Sequence, residues 1–506
     1  MSKTQEVQTI GKYRWIIAAL LLFSTTINYM DRNVIGFLKD YFCSAEGFGW
    51  SSSEYSNLTS VFTAFYAGFT LVAGWIIDKV GTKIGLAASL IVWSLAGMAS
   101  ALMGKTLFWH CAARSIFGAG EAGNFPASIK AVAEWFPKRE RALATGIFNS
   151  GSNIGAMICA IFVPWALLTW GDGNEFLGQF HGWQMAFIIT GLVGFLWLFF
   201  WNVFYSSPRK MMEKGKLGRA EYDYIHSEDE PVAEHTAAPK EKVSWFKMLT
   251  YKQTWAFVAG KFMTDGIWWF LLFWLPTYVK QQFCDGLSKE TTASYVMISN
   301  FVVFGIAIIG SVYGGSIPMS FMKRGWPTYK ARMTAMLLIA IAPTALLSTQ
   351  YMAGFGIVAA IAVISLGGAA HQAWSANLFT TVSDMFPKKS VATVTGIGAA
   401  FGGLGGVFMQ QLAGRLEDYY RGIGVGLAKA QGLIQETAAL PLDKIKMDNL
   451  KEVVSDPAML SQAKLLVSGN VSHAYGIMFA LCAFSYLIAW AIMKLLVPKH
   501  TPITDL

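Results

Sequence analysis

Long apolar segments recur along the chain and are separated by short polar stretches. A segment of about 20 apolar residues is the length that an α-helix needs to cross the hydrocarbon layer of a membrane. We count twelve such segments, at residues 14–38, 54–78, 84–104, 106–134, 141–169, 182–205, 253–281, 292–318, 329–350, 353–383, 390–415 and 473–496. The pattern therefore predicts an all-α membrane protein with twelve transmembrane helices.

A polar stretch divides the twelve predicted helices into two groups of six. Residues 206–252 contain three prolines and charges of both signs, and we interpret them as a cytoplasmic linker. The predicted N-terminal half is then 1–205 and the C-terminal half is 253–506. Within the second half, residues 416–472 interleave Leu, Ile and Val with charged residues, a pattern typical of short amphipathic helices. We interpret this insert as a packed cap on the outer side, while a lid or partner-binding role remains an alternative.

A short motif repeats between the two halves. Glu134-Trp-Phe-Pro-Lys-Arg139 recurs as Asp384-Met-Phe-Pro-Lys-Lys389, and each copy is followed by Thr-Gly-Ile at the same distance. Parallel repeats of this kind occur in transporters in which two halves rock around a site near the membrane midplane. The repeat predicts two pseudo-symmetric six-helix halves.

Composition and charge agree with a membrane protein. The chain is 54% hydrophobic and 14% charged, against roughly 25% charged residues in soluble domains. A net charge of +9 could suggest a nucleic-acid partner, but the basic residues fall in short loops, where they orient the chain in a membrane. These loops contain Lys79, Lys83, Lys138, Arg139, Arg141, Lys323, Arg324, Lys330, Arg332, Lys388 and Lys389. We expect both termini to be cytoplasmic, the lipid bilayer as a partner, and no nucleic acid.

The loop between the second and third predicted helices carries a recognisable motif, Gly74-Trp-Ile-Ile-Asp78-Lys79-Val80-Gly81-Thr82-Lys83. It resembles the signature loop of the major facilitator superfamily. Glycine allows a tight turn, and an aspartate at a helix end can face the positive end of another helix or a nearby cation. We expect Gly74, Asp78, Gly81 and Lys83 to take part in gating at the cytoplasmic side.

Two predicted helices carry pairs of opposite charge inside the membrane. Asp31 and Arg32 lie in the first, and Arg114 and Glu121 lie in the fourth, two helical turns apart. An ionisable residue at this depth costs at least a few kcal/mol and is by default a functional-site hypothesis. An arginine fork suits a carboxylate, so an anion together with a proton is the cargo that these residues favour.

The facing half supplies its own polar groups. Lys261 and Asp265 are one turn apart in the seventh helix and are expected to pair when no substrate is bound. We also expect Lys261 to attract the substrate anion and Asp265 to take part in gating. Trp268 follows, with a ring suited to stacking on a sugar. The tenth helix places His371, Gln372, Ser375 and Asn377 at helical spacing as candidate partners of substrate hydroxyls. A buried structural histidine remains an alternative for His371.

Four stretches together resemble the anion:cation symporter family, in particular bacterial hexuronate transporters. They are Asn28 to Arg32, Arg114 to Glu121, Gly260 to Phe270 and His371 to Asn377. The resemblance implies that Arg32, beside Tyr29 and Tyr66, meets the substrate carboxylate. It also implies that Asp31 and Glu121 take up protons and that Arg114 pairs with them. Ser152 and Ala400 depart from the residues expected in aldonate-transporting relatives, which leaves the sugar hydroxyl contacts open.

The expected function is proton-coupled import of a hexuronate by alternating access. The protein is expected to act as a monomer in the bacterial inner membrane, without a cofactor other than the coupling proton and without a metal site. Another organic anion, such as an aldonate or dicarboxylate, remains an alternative, and so does a membrane sensor. The absence of HExxH, GxSxG and nucleotide-loop motifs counts against an enzyme. Cys43 and Cys284 follow the first helix of each half, where they are either free thiols or a disulfide.

Overall fold

The computed structural model of the protein describes residues 10–170, 180–227, 245–434, 445–447, 449–499 and 501–503. The side chains of Lys138, Arg139, Arg141, Lys388 and Lys389, and linker residues 228–244, lie outside the described part. Within that part the regular secondary structure is helical, and no β-strand is present.

The first half contains six membrane crossings, of which the fourth is broken into two helices. Its helices are α1 (Tyr13–Cys43), α2 (Ser52–Val80), α3 (Thr82–Ser100), α4 (Leu107–Glu121), α5 (Asn124–Trp135), α6 (Lys138–Trp170) and α7 (Gly182–Phe204). The fourth crossing was predicted as one helix over 106–134, but it is interrupted at Ala122 and Gly123. Glycine is a poor helix former, and Gly120 and Gly123 are needed where this crossing packs closely on Trp93 and Ser89 of α3.

The second half repeats this plan after three short linker helices. The linker contains α8 (Pro208–Glu213), α9 (Arg219–Ile225) and α10 (Trp245–Met248). The second half contains α11 (Lys252–Phe283), α12 (Lys289–Gly314), α13 (Ser316–Lys323), α14 (Thr328–Ile341), a 3₁₀ turn (Ala342–Ser348), α15 (Thr349–Ala353), α16 (Ile357–Met385), α17 (Lys388–Ala430), α18 (Leu450–Val453) and α19 (Pro457–Leu496). The 3₁₀ turn begins beside Pro343, which lacks the N–H that a regular helix requires.

Nine helical segments of the described chain are long and apolar enough to cross a membrane. The predicted spans 14–38, 106–134 and 390–415 are also helical but are not among these nine. The first carries Asp31 and Arg32, the second is divided between the two shorter helices α4 and α5, and the third lies in the glycine-rich helix α17. The twelve-helix fold is therefore present.

The sequence repeat corresponds to a structural repeat. In the first half, the Thr82 hydroxyl donates to the Glu134 carboxylate at 2.6 Å. In the second half, Arg332 donates to Asp384 at 2.6 Å. Each residue of the second pair lies 250 positions after its counterpart. The two halves thus fasten corresponding helices at corresponding positions, and they are pseudo-symmetric as predicted.

The halves are closed at one end of the molecule, called here the insert end because the described residues of the insert, 416–434, 445–447 and 449–472, lie there. The opposite end is the linker end. At the insert end, Gly36 of α1 packs on the backbone of Leu272, and Gly414 of α17 packs on Ser56 of α2. The face of α2 toward α17 is buried at Ser56 and becomes half-buried at Gly74, nearer the linker end. The halves therefore part toward the linker end.

The described part of the insert consists mainly of extensions of two long helices, with the four-residue helix α18 between them, whereas short amphipathic helices were predicted. Helix α17 continues to Ala430 and α19 begins at Pro457. Residues from both extensions form a second hydrophobic core, separate from that of the main bundle. The Lys446 ammonium donates to the carbonyls of Cys43 and Trp50, so the insert is attached to the first half.

Candidate substrate and proton site

Arg32 forms a buried ion pair with Glu121. Its Nε donates to Oε2 of Glu121 at 2.9 Å, and its Nη2 donates to Oδ1 of Asn28 at 3.3 Å. Both charged side chains are almost completely buried. Charge-assisted hydrogen bonds of this length are among the stronger polar contacts in proteins. The pair connects α1 to α4 near the middle of the first half.

Aromatic rings surround the Arg32 guanidinium. Its central carbon lies 4.4 Å from the ring centroid of Tyr29, 4.6 Å from Tyr66, 5.1 Å from Trp269 and 5.5 Å from Phe62. Cations at these distances are attracted by the ring faces. Trp269 belongs to α11, so the ring set includes a residue of the second half. Arg32 therefore lies where the two halves meet.

Asp31 faces a different direction from Arg32. Its Oδ2 accepts a hydrogen bond from the indole Nε1 of Trp93 at 3.1 Å, with Thr190 beside it. Adjacent residues on a helix point about 100° apart. The structure thus places the aspartate against α3 and α7, while the arginine faces α4 and the second half.

Arg114 lies buried between the two acids without accepting partners for two of its nitrogens. Among the described residues, its Nε and Nη2 and the Oε1 of Glu121 have no hydrogen-bond partner. The guanidinium lies over the rings of Phe117 and Phe187, and it is within electrostatic range of Glu121 and Asp31. Direct pairing of Arg114 with the acids, which the resemblance implies, is therefore absent in this conformation, where Glu121 pairs with Arg32. A buried cation without acceptors is costly, so this cluster is sensitive to the charge on either acid.

The polar residues of α11 form the pair that their spacing predicted. Lys261 Nζ lies 2.6 Å from Asp265 Oδ2, and both side chains are largely buried. Gly402 of α17 lies directly against the Asp265 carboxylate, where no larger side chain would fit without displacing it. This pair is confined to the second half, so it is separate from the ion pair of Arg32.

His371 and Trp268 form a unit of their own. The His371 Nδ1 lies 2.9 Å from the Tyr486 hydroxyl, and its ring stacks on Trp268 with centroids 5.1 Å apart. The neighbouring Trp269, rather than Trp268, contacts Arg32. The structure therefore divides the two adjacent tryptophans, with one on the histidine and the other on the arginine.

The other predicted site residues of α16, Gln372, Ser375 and Asn377, differ in how deeply they are buried. Gln372 and Ser375 are half-buried. Asn377 donates its amide to the carbonyls of Gly314 and Ala373, at 2.9 Å each. The Asn377 amide thus fastens α16 to the end of α12, which is a helix-packing role in this conformation.

The predicted gating loop makes its contacts within the first half. Asp78 pairs with Lys130 of α5 at 2.9 Å, and Lys83 donates to the Asn202 carbonyl at 2.9 Å. Gly81 adopts a φ of +85°, a conformation that favours glycine at the turn between α2 and α3. Gly74 meets no neighbouring atom that a Cβ would contact. This arrangement agrees with halves that have separated at the linker end.

Sequence reasoning missed a buried glutamine beside the site. Gln410 of α17 donates to the Trp269 carbonyl at 3.1 Å and accepts from the Trp274 indole at 2.6 Å. It also accepts from the Thr59 hydroxyl of α2 at 3.3 Å. The sequence did contain an indication of this residue, because the two adjacent glutamines at 410 and 411 follow a glycine-rich apolar segment. Gln410 connects the residue that contacts Arg32 to the interface between the halves.

A second buried ion pair, also missed, closes the insert end. Lys39 of α1 lies 2.8 Å from Glu417 of α17, and its ammonium lies 4.3 Å from the Trp274 ring centroid. Glu417 also accepts from the Ser52 hydroxyl at 2.9 Å. Lys39 falls just outside the predicted first helix, which ended at residue 38, whereas α1 continues to Cys43. Contacts therefore run from Arg32 through Trp269, Gln410 and Trp274 to this closing pair.

Cys43 and Cys284 are free thiols in this structure. Among the described residues, no group of three or more His, Cys, Asp or Glu side chains could hold a metal ion.

Twelve membrane crossings in two similar halves, with the buried ion pair of Lys39 and Glu417 between the halves, are the architecture of a polytopic membrane transporter. The chain belongs to the Major Facilitator Superfamily, whose family model matches residues 21–409. It is 31% identical to the hexuronate transporter of Escherichia coli (strain K12) over 421 residues, which covers 81% of this chain and 89% of that protein.

Two further comparisons place this family membership in context. The chain is 31% identical over 312 residues to the galacturonate transporter of Dickeya chrysanthemi, covering 61% of this chain and 83% of that protein. A bacterial homologue of the human lysosomal transporter Spinster, solved in an inward-facing and unoccupied conformation, superposes with a TM-score of 0.72. That alignment covers 97% of this chain and all of the other at 17% identity, so it establishes the fold alone.

Proposed function

We propose that this protein is a proton-coupled symporter that imports hexuronates such as glucuronate and galacturonate. The observation that carries the proposal is the buried ion pair of Arg32 and Glu121, at 2.9 Å, within a ring of aromatic residues. Its arginine can exchange one carboxylate for another without leaving a buried charge unpaired. The names of the two relatives at 31% identity support a sugar acid as the incoming carboxylate.

The movement of the proton is coupled to that of the substrate because Glu121 and the substrate carboxylate compete for Arg32. When Glu121 takes up a proton it no longer needs the guanidinium, and Arg32 is released for the substrate carboxylate. When Glu121 loses the proton it reclaims Arg32 and displaces the sugar acid. Asp31, held apart by Trp93, is the second proton acceptor, and Arg114 stabilises whichever acid is charged. Coupling requires that proton and substrate favour different conformations, since equal affinity for both would shift neither.

The aromatic ring set suits the rest of the substrate. Tyr29 and Tyr66 each offer a hydroxyl as well as a ring, and both are only half-buried. Trp269 offers a flat face from the second half, on which the apolar side of a pyranose can stack. Because the Arg32 pocket takes residues from both halves, a bound sugar acid would contact both and favour their closure around it. Lys261 adds a positive field from the second half.

We further propose that the protein lies in the bacterial inner membrane with both termini cytoplasmic, acts as a monomer, and uses no cofactor other than the proton. The basic loops between α2 and α3 and between α13 and α14 support this orientation, since cytoplasmic loops are enriched in Lys and Arg. The insert end then faces the periplasm, and the conformation described is open toward the cytoplasm.

Uptake into proteoliposomes tests the proposal. Labelled glucuronate and galacturonate should accumulate under an inward proton gradient and should only equilibrate without one. An aldonate, a dicarboxylate and glucose form the comparison panel. Preferred accumulation of the aldonate or dicarboxylate would support the alternative substrate class. Binding without uptake of any member of the panel would indicate a sensor and contradict transport.

A further inference from the structure

A cavity of about 290 Å³, lined mostly by polar and charged residues, lies at the insert end. Its walls come from the ends of α1 and α11 and from the insert, which contributes Lys446, Met447, Lys464 and Ser468. Lys39, on its wall, is seven residues beyond Arg32 on α1, or about 10 Å along the helix. The cavity is therefore distinct from the Arg32 site, and the closing pair of Lys39 and Glu417 lies on its wall.

Cations outnumber acids among the described residues that line this cavity. Five basic side chains stand against three carboxylates there, namely Lys39, Lys280, Arg421, Lys446 and Lys464 against Asp40, Asp285 and Glu417. Clefts lined by an excess of one charge concentrate ligands of the opposite sign and accelerate their arrival. The charge distribution selects for a small anion.

Two of these lysines are loosely held. Lys280 lies 3.6 Å from Asp40, and Lys464 lies 3.5 Å from Asp285. Strong charge-assisted hydrogen bonds are about 2.7–2.9 Å long, a length that Lys39 reaches with Glu417. The side chains of Lys280 and Lys464 are 48% and 34% exposed. Partly exposed pairs of this length contribute little stability, so both ammonium groups are available to an incoming carboxylate.

The cavity wall also contains hydroxyl and amide groups. Tyr278 is 1% exposed and lines the cavity, and its hydroxyl has no hydrogen-bond partner among the described residues. The side-chain oxygen of Gln281, a half-buried residue of the cavity wall, likewise has no hydrogen-bond partner among the described residues. Ser468 and Ser472 add two hydroxyls. These groups match a ligand that carries several hydroxyls in addition to its carboxylate.

We propose that this cavity is a second binding site, for small polyhydroxylated carboxylates, at which the sugar acid arrives before the insert end opens. This inference rests on the proposed function for the identity of its ligand. A volume of about 290 Å³ is near the lower end of ligand pockets, roughly 300–1,000 Å³, and suits a monosaccharide. The site acts on entry from the insert end only, so it raises the rate of import without affecting binding from the linker end.

Protection of a cysteine placed in the cavity tests the site directly. Ser468→Cys is introduced into a chain that also carries Cys43→Ser and Cys284→Ser, and its reaction with a membrane-impermeant thiol reagent is timed. The measurement is repeated in an Arg32→Ala background, which disables the proposed central site. If Arg32→Ala folds poorly, a double variant, Arg32→Gln with Glu121→Gln, which removes both charges of the buried pair, serves as the second background.

Glucuronate is expected to slow the reaction at least threefold in all backgrounds, whereas glucose is not. Lys280→Gln with Lys464→Gln should abolish the protection, while Lys289→Gln, an exposed lysine of the same end outside the cavity, should retain it. Protection that disappears with Arg32, that glucose reproduces, or that survives loss of both lysines would overturn the proposal. The parent chain's uptake is measured separately: protection without uptake would refute the proposed function while supporting the cavity site.

Discussion

The buried pair of Lys39 and Glu417 allows a quantitative prediction about closure of the insert end. Glu417 accepts from Lys39 at 2.8 Å, from Ser52 at 2.9 Å and from Gln281 at 3.1 Å. Lys39 is 1% exposed. Glu417→Gln keeps the size of the side chain but removes the charge, which leaves the lysine buried without a counter-charge for as long as the halves stay closed.

The cost of this change can be estimated. Removing one partner of a buried ion pair destabilises the structure that buries it by about 3–5 kcal/mol. Opening the insert end hydrates Lys39 and relieves this cost, so the penalty falls on the closed conformation and not on the open one. Because about 1.4 kcal/mol corresponds to a tenfold change in an equilibrium constant, the closed-to-open ratio should fall by about 100-fold or more.

Alkylation of a single cysteine measures this ratio. In a chain whose native cysteines are replaced by serine, Ser56→Cys places a thiol at a position that is fully buried against Gly414 of α17 and becomes accessible only when the insert end opens. Its rate of alkylation should rise strongly in Glu417→Gln. A double variant, Lys39→Met with Glu417→Leu, removes both charges and should leave the rate near that of the parent, because apolar replacement of a buried pair is often neutral or stabilising. An unchanged rate in Glu417→Gln, or equal rates in the single and double variants, would refute the reasoning.

Three further predictions concern the central site and the packing of the second half. Arg32→Lys should weaken hexuronate binding about 10- to 100-fold in a calorimetric titration, because one ammonium cannot reproduce the guanidinium fork; unchanged affinity would argue against the carboxylate contact. Trp269→Leu should raise the half-saturating hexuronate concentration several-fold more than Trp268→Leu, since only Trp269 contacts Arg32; the reverse order in transport assays would place the sugar against His371. Gly310→Ala should reduce the yield of monodisperse protein in size-exclusion chromatography, because its added Cβ meets the backbone of Ala369, whereas Gly305→Ala meets no atom and should be tolerated; equal yields would contradict the close approach of α12 and α16.

Hydrophobic patterning predicted the architecture well because each crossing must satisfy its backbone within one helix. The break at Ala122 and Gly123 was not predictable from apolarity, since it arises where glycines allow α4 and α5 to approach α3. The extension of α1 to Cys43 was missed for a different reason. Lys39 and Asp40 indicate the end of a membrane span, but a helix can continue beyond the membrane surface when its polar residues find partners there.

Sequence spacing predicted the candidate site only in part. Lys261 and Asp265 pair as their one-turn separation indicated, because that geometry is local to a helix. The partner of Glu121 depends on how α1 packs against α4, which no spacing within α4 could reveal. The choice between Trp268 and Trp269 depended on the rotation of α11, and Gln410 and Glu417 came from a helix whose packing partners were unknown. Contacts within one helix could be predicted from the sequence, whereas contacts between helices could be identified only in the structure.

The central claim is that Glu121 couples the proton to the sugar acid through Arg32. Glu121→Gln cannot lose a proton, so it should abolish accumulation of glucuronate driven by a proton gradient in proteoliposomes. The same variant should still exchange internal for external glucuronate in a counterflow assay, because Arg32 remains available to the substrate. Retained exchange with lost accumulation is the result we predict. Accumulation at the level of the parent chain would contradict the claim.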